Sequence, residues 1–340
     1  MTVELLEDKK RWDKFVEASP QGLLFHKWDF LKTAERHSKY QFLPYCVYSG
    51  EELRCIFPFF IGRDRRMTRM LSPPPLHLGT QMWYLGPAFD PSVQALKAIA
   101  TEKVLSQVTD ELCREIDTIA PNLVSFTTVP NFLDVRFFIW KGFGTHLRFT
   151  YAIDLERSLD EIWASFSKGC RWEIRRVSAH SPEIQQTHDV RPLLEMWRKR
   201  FPELGIEVPL LSDTYLKELM AAFPKDVTVY NLSIDGKLAA AIACCVMQKQ
   251  RYGYWIGNVN ARKDLSVNDY LIWELVKRAK SEGFKKLDLG AGGTETLSRF
   301  KSKFDPVLEP YCIVQKPSTR YTISNFAYKK LRGRHAVNDL

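Results

Sequence analysis

Long apolar runs are missing from this chain of 340 residues. Its longest strongly apolar stretch, Leu238 to Met247, falls far short of the ~18–20 residues that a membrane-spanning helix needs. The C-x-x-C pattern is missing too. Seven cysteines (Cys46, Cys55, Cys113, Cys170, Cys244, Cys245 and Cys312) are odd in number and include one adjacent pair, which argues against a disulfide framework and for reduced, mostly buried thiols. His26, His77, His146, His180 and His188 are scattered without H-E-x-x-H or comparable spacing, so no metal centre is expected. Neither G-x-S-x-G nor a Cys/His pairing marks a nucleophile. The stretch MTVELLEDKKRWDKF carries acids and no apolar core, so a cytoplasmic protein is expected.

What is present is ordinary globular material: 45% hydrophobic, 13% aromatic and 26% charged residues, in a length that suits roughly two domains. Lys and Arg outnumber Asp and Glu by 49 to 40, a net charge of +9. That balance admits an anionic partner without requiring one. The charge is dispersed and forms no basic tract, and DNA is not expected as a partner.

Helical patterns cover Asp8 to Val16, Lys27 to His37, one or two helices within Val93 to Ile119, and further helices within His188 to Phe201 and Ser212 to Phe223. Phe42 to Ile61 reads as a strand pair around Ser49-Gly50-Glu51, and Val227 to Met247 as another around Asp235-Gly236. A further strand is expected at QRYGYWIGNV. Between the first hairpin and the long helix, LSPPPLHLGTQMWYLGP is loop-rich, because consecutive prolines neither continue a helix nor donate to a ladder. Ser158 with Glu161 forms a capping box. Ser266 with Asp269 reads as the cap of a helix whose Ile272, Leu275, Val276 and Ala279 recur at i, i+3, i+4 and i+7. Gly283 closes that helix, and FKKLDLG is the next strand. The order predicts an α+β fold, and the two similar hairpins suggest a duplication with a boundary near Arg148 to Asp154.

Two stretches carry candidate chemistry. In SFSKGCRWEIRRVSAH, a helical repeat places Trp163, Phe166, Cys170, Ile174 and Val177 on one side and Lys168, Arg171 and Arg175 on another, with Trp172 beside them. Arg171 and Arg175 are four apart and repel unless an anion lies between them, and arginine's planar fork suits phosphate. A solvated polar face is the competing reading, and Gly169 admits a break between two helices. In DLGAGGTETLSRFKSKF, a strand, a glycine-rich loop and a short helix present backbone N–H groups, with Lys301 or Lys303 as a charge. An ordinary flexible loop competes there. Tyr252 and Tyr254 share one strand face and either line a pocket or fill a core.

WDKFVEASPQGLLFHKWDF, LSPPP followed by Gly86-Pro87, TYAIDL, RWEIRR, EGFKKLDLG and SRFKSKF occur in the order seen in FemABX-like proteins, and from Trp12 to Phe304 the chain resembles that family of tandem GNAT-type N-acyltransferase domains. The resemblance implies tandem GNAT-like domains, each a mixed sheet flanked by helices: residues 1–148, residues 149–318, and a basic tail 319–340. It implies an amide-forming acyltransferase of cell-envelope biogenesis, moving an aminoacyl group from aminoacyl-tRNA to an amine on an anionic, phosphate-bearing envelope precursor. A sibling branch implies instead an acyl-CoA-dependent N-acetyltransferase acting on an envelope or polysaccharide sugar amine.

Carried onto this sequence, the resemblance makes Lys301 catalytic, as a donor to the tetrahedral oxyanion, and Lys168, Arg171, Arg175, Trp172 and Tyr254 substrate-binding residues; the arginine pair then reads as an anion grip. Aminoacyl-tRNA or acyl-CoA serves as donor substrate, no cofactor is held permanently, and membrane contact is at most peripheral. Val177 and Asp305 depart from the family's alanine and glycine. ARKDLSVNDYL lacks the R/Q-x-x-G-x-G/A glycines that cradle a CoA pyrophosphate. With no general base evident, a non-catalytic anion-binding GNAT scaffold remains a distinct alternative.

Overall fold

A computed structural model of the chain describes residues 1–63, 68–74, 82, 84–203, 213–260, 262 and 264–331. Parts of the proline-rich passage, including His77, and the basic tail beyond residue 331 lie outside the described residues. The chain divides into two compact units, one of Met1–Pro75, Met82–Arg148 and Pro310–Leu340, the other built on Phe149–Glu309.

The first unit contains β1 (Thr2–Leu5), α1 (Lys9–Ala18), α2 (Trp28–Arg36), β2 (Gln41–Ser49), β3 (Glu52–Arg63), β4 (Arg69–Leu71), β5 (Ala88–Phe89), α3 (Ala98–Ile119), β6 (Leu123–Thr127) and α4 (Arg136–Trp140). The strand β7 (Gly144–Asp154) carries the chain into the second unit. There follow α5 (Leu159–Ser165), α6 (Lys168–Ser178), β8 (Glu183–Thr187), α7 (Arg191–Glu203), α8 (Asp213–Ala222), β9 (Val227–Ile234), β10 (Lys237–Gln248), β11 (Arg251–Asn260), α9 (Val267–Ser281), β12 (Lys286–Ala291) and α10 (Glu295–Ser302). β13 (Val307–Pro317) and α11 (Thr319–Leu331) end the described chain.

The strand order is β1-β2-β3-β4-β6-β13 in the first unit and β8-β9-β10-β11-β12-β7 in the second. Each series is antiparallel at three joins, parallel at the fourth and antiparallel at the last. The hairpins β2–β3 and β9–β10 therefore hold equivalent places, as the repeated hairpin pattern predicts. The fold is α+β, with mixed sheets flanked by helices. One assignment differs from the linear reading. Residues Ile313–Pro317 of β13 pair with β6 of the first unit, so the stretch expected to run to residue 318 gives up its last strand. The pairing completes a row of hydrogen bonds along β6 that would otherwise face outward.

Local chemistry explains most of these elements. Asp235 and Gly236 take φ of 53° and 69°, the left-handed pair that matches the twist of a two-residue hairpin. Ser158 and Glu161 form the expected capping box at the start of α5. The apolar stripe of α9 is buried against β-strand residues such as Ile242, Leu287 and Leu289 in the core of the second unit. A separate core, including Phe57, Phe126, Phe138 and Leu112, serves the first unit. All seven cysteines are buried and free. His26 is fully buried; its Nε2 donates to the Gly86 carbonyl at 3.0 Å while Nδ1 accepts from the Leu23 N–H at 3.3 Å. Burial pushes its pKa down to about 4, which keeps it neutral and structural.

Candidate active site

In the second unit, β11 and β12 pair in parallel over Arg251–Gly253 and Lys286–Asp288. Past that point β12 bends, with a register shift against β7 between Asp288 and Ala291 and a φ of 76° at Gly290, and Thr294 then caps α10 by accepting from the Leu297 N–H at 3.2 Å. Asp288 sits at the bend, fully buried. Its Oδ1 accepts from the Thr150 hydroxyl at 2.6 Å and the Gly290 N–H at 2.7 Å, and its Oδ2 accepts from Arg251 Nε at 2.9 Å. Arg251 also lies 2.6 Å from Glu309, which Lys286 contacts in turn. Burial raises the Glu309 carboxyl, but the two cations outweigh it and hold its pKa below the ordinary value. A buried carboxylate with this many donors fixes the course of β12.

Lys301 lies under the same bend and is 7% exposed. Its Nζ donates to the carbonyls of Gly290 at 3.0 Å and Ala291 at 2.6 Å and stands 5.7 Å from the centre of the Tyr151 ring. Burial lowers its pKa to about 8, with Asp288 opposing the shift. A neutral amine has two N–H groups for those two carbonyls and one lone pair left over, so Lys301 can gain and lose a proton near neutral pH without breaking either bond. Space in the loop above is tight. A Cβ on Gly292 would stand 2.5 Å from Ser298 Oγ and 2.7 Å from the Tyr151 ring.

The arginine-rich stretch is two helices, α5 and α6, broken at Phe166 and Ser167 rather than at Gly169. Ser167 caps α6 and its N–H donates to the Lys303 carbonyl at 2.9 Å, which ties the start of α6 to the end of α10. Cys170, Ile174 and Val177 face the core as the periodicity predicts. Arg171 and Arg175, expected to share an anion, make different contacts. Arg171 turns back onto the end of α5, donating to the carbonyls of Ala164 at 2.6 Å, Trp163 at 3.5 Å, and Phe166. They lie at the C-terminus of α5, where only the Trp163 carbonyl also accepts from the Phe166 N–H, and a cation there meets the negative end of the helix dipole. Arg175 instead stacks over Trp163 at 5.5 Å, and Arg176 over Trp172 at 5.3 Å, Trp172 itself being 57% exposed. Lys168 is exposed in the first turn of α6. The residue Tyr254 keeps its place in β11 opposite Cys244, but its side chain lies outside the described residues.

One outcome separates the two arginines. R171A is expected to cost about 1–3 kcal/mol of stability through the stranded carbonyls, whereas R175A loses only a cation–π contact of about 0.5–1 kcal/mol. Urea denaturation of both variants measures the difference, and equal small losses would return Arg171 to a solvated face.

The start of α9 departs from its predicted cap. Ser266 makes no side-chain capping bond. Asp269, fully buried in the first turn, accepts from Lys303 Nζ at 3.1 and 3.0 Å, and Glu173 accepts from the Ser266 N–H at 3.4 Å. Burial raises the Asp269 carboxyl even with Lys303 beside it. Asp288, Thr150 and Arg251 belong to no motif the sequence displays. The one signal, at Asp288, is an acid placed where period and neighbours demand an apolar residue, in KKLDLG. Among the described residues no group of three or more His, Cys, Asp and Glu could hold a metal ion.

Comparison with known proteins agrees with this layout. Residues 164–302 match the family model described as an acetyltransferase (GNAT) domain. A search of curated proteins by sequence gives no match. Among solved structures, FemX is similar with a TM-score of 0.68 at 10% identity, covering 92% of this chain and 97% of that one. The C-terminal domain of a putative lysylphosphatidylglycerol synthetase from Agrobacterium fabrum is similar with a TM-score of 0.58 at 14% identity, covering 96% of each chain. A tandem GNAT protein from the clavulanic acid biosynthesis pathway is similar with a TM-score of 0.51 at 12% identity, covering 93% of this chain and 98% of that one. At these identities the structures speak for the fold. Residues 164–302 thus match an acetyltransferase (GNAT) domain, and the chain shares the tandem fold of these structures.

Proposed function

We propose that the protein joins an acyl group to an amine, forming an amide, at the bend of β12 over Lys301. The observation that carries this reading is the buried Lys301 amine, with two carbonyls as fixed partners and a pKa lowered to about 8. The acceptor nitrogen attacks the carbonyl carbon of an activated acyl ester or thioester and must lose a proton, which the lone pair of neutral Lys301 accepts. The resulting ammonium has a third N–H, which stabilises the oxyanion and then returns the proton to the leaving oxygen or sulfur. Bonds and protons balance: a C–N bond forms, a C–O or C–S bond breaks, and the leaving group departs protonated.

A GNAT domain in general implies an acyl-CoA donor, and the match over residues 164–302 favours that reading. The start of α9 favours aminoacyl-tRNA instead. The Ser266 N–H there is already taken by the Glu173 carboxylate, which opposes a pyrophosphate, and the nearby Lys303 is engaged by Asp269. We place aminoacyl-tRNA first. For the acceptor we propose an amine on a phosphate-bearing envelope precursor, with Lys168 and Arg175 as the exposed cations nearest the sequence's own candidate grip.

The deciding assay incubates the protein with charged tRNA or with acetyl-CoA, together with an amine-bearing envelope precursor, and follows loss of each acyl group. The expected result is deacylation of tRNA only, with binding that weakens by a log-log salt slope of about −0.7 per neutralised phosphate. Turnover with acetyl-CoA alone would establish the CoA reading, and ligand binding without turnover of either donor would leave a scaffold.

A further inference from the structure

We propose that α11 docks the protein on an anionic lipid surface. Its Ile323 and Phe326 are 65% and 71% exposed and lie one turn apart on the same helix face. Single exposed apolar residues are common on soluble proteins, but a pair on one face of a helix invites a cover.

Charge identifies that cover. Between Glu309 and Asp339 the sequence holds no acidic residue, against Lys316, Arg320, Lys329, Lys330, Arg332 and Arg334. Lys316 is engaged elsewhere, over the Phe143 ring at 5.3 Å and 3.9 Å from Asp117. On a 3.6-residue repeat, Lys330 falls between Ile323 and Phe326, and Arg320 and Lys329 fall to either side. An exposed apolar pair in a segment that holds cations and no acid suits the boundary of an anionic bilayer, where apolar side chains enter the acyl region and cations meet headgroup phosphates. RNA would use the same cations, but it has no use for an exposed isoleucine, since it rewards stacking aromatics and arginine. Docking is peripheral: among the described residues no helix is long and apolar enough to cross a membrane. This inference stands apart from the identity of the acyl donor.

The test is co-sedimentation of the full chain with unilamellar vesicles of phosphatidylglycerol and phosphatidylcholine in equal parts, or of phosphatidylcholine alone. Wild type is expected to bind the anionic vesicles and not the neutral ones, and to release in 0.5 M salt, a buffer about threefold shorter in screening length than 0.05 M. I323S/F326S should lower partitioning about tenfold or more, and R320A/K329A/K330A about a hundredfold, both with circular dichroism unchanged because the replaced apolar side chains are exposed. Undiminished partitioning of I323S/F326S, or equal binding to neutral vesicles, would overturn the proposal. So would binding of bulk tRNA that displaces the vesicles and is untouched by I323S/F326S.

Discussion

Replacing Lys301 by methionine is expected to lower kcat for acyl transfer by about 100- to 10,000-fold, the usual scale of a lost general base. The wild-type rate should rise with pH through about 8, since the pKa of Lys301 is lowered to that value and only the neutral amine can take a proton. K301M should lose that rise, and K301R, which stays charged, should lose it too. A purely structural role would give a different pattern, a smaller kcat with the inflection still in place. Stability carries its own signature. Because the folded pKa lies below the ordinary 10.5, the folded chain holds fewer protons between about 8 and 10.5, so stability rises with pH across that window. K301M should flatten that dependence.

D288N should cost about 3–5 kcal/mol, since it leaves the buried Arg251 guanidinium short of one of its two carboxylates. Asp288 is fully buried, and its three donors come from β7, β11 and the bend of β12 itself. A double-mutant cycle with R251M reads the pair directly by chemical denaturation, and a coupling of about 0.5–3 kcal/mol is expected. Additive losses would mean that Asp288 and Arg251 act separately. T150V, which removes a neutral donor, should cost about 1 kcal/mol.

These two predictions rest on residues of very different legibility. Lys301 stands out in the sequence because SRFKSKF follows a glycine-rich loop, and local order is something a sequence displays. The hairpins around Gly50 and Asp235-Gly236, the capping box at Ser158 and the apolar stripe of α9 are legible for the same reason. Asp288 acquires its partners from Thr150 and Arg251, residues 138 and 37 positions away, and no local pattern shows such a meeting. Arg171 has contacts that spacing alone does not display. The spacing to Arg175 is correct and so is the helix, but an arginine reaches far enough to find carbonyls on the helix before it, and the break at Phe166 and Ser167 brings those carbonyls within range. Asp269 reads as a cap and instead holds Lys303, because the end of α10 comes up beside it.

The return of β13 to β6 reverses the usual order in which a nascent chain becomes safe. Most proteins can finish their leading part while the rest is still being translated. Here β6 leaves the ribosome long before its partner, and at ordinary synthesis speeds it waits roughly 10–40 s for the strand that will cover it. Throughout that interval its Leu123, Val124 and Phe126 flank an open ladder of the kind that recruits stray strands. The second unit, whose strands all lie within one continuous stretch, can meanwhile be complete. The edge of β6 therefore stays open for as long as β13 is unmade.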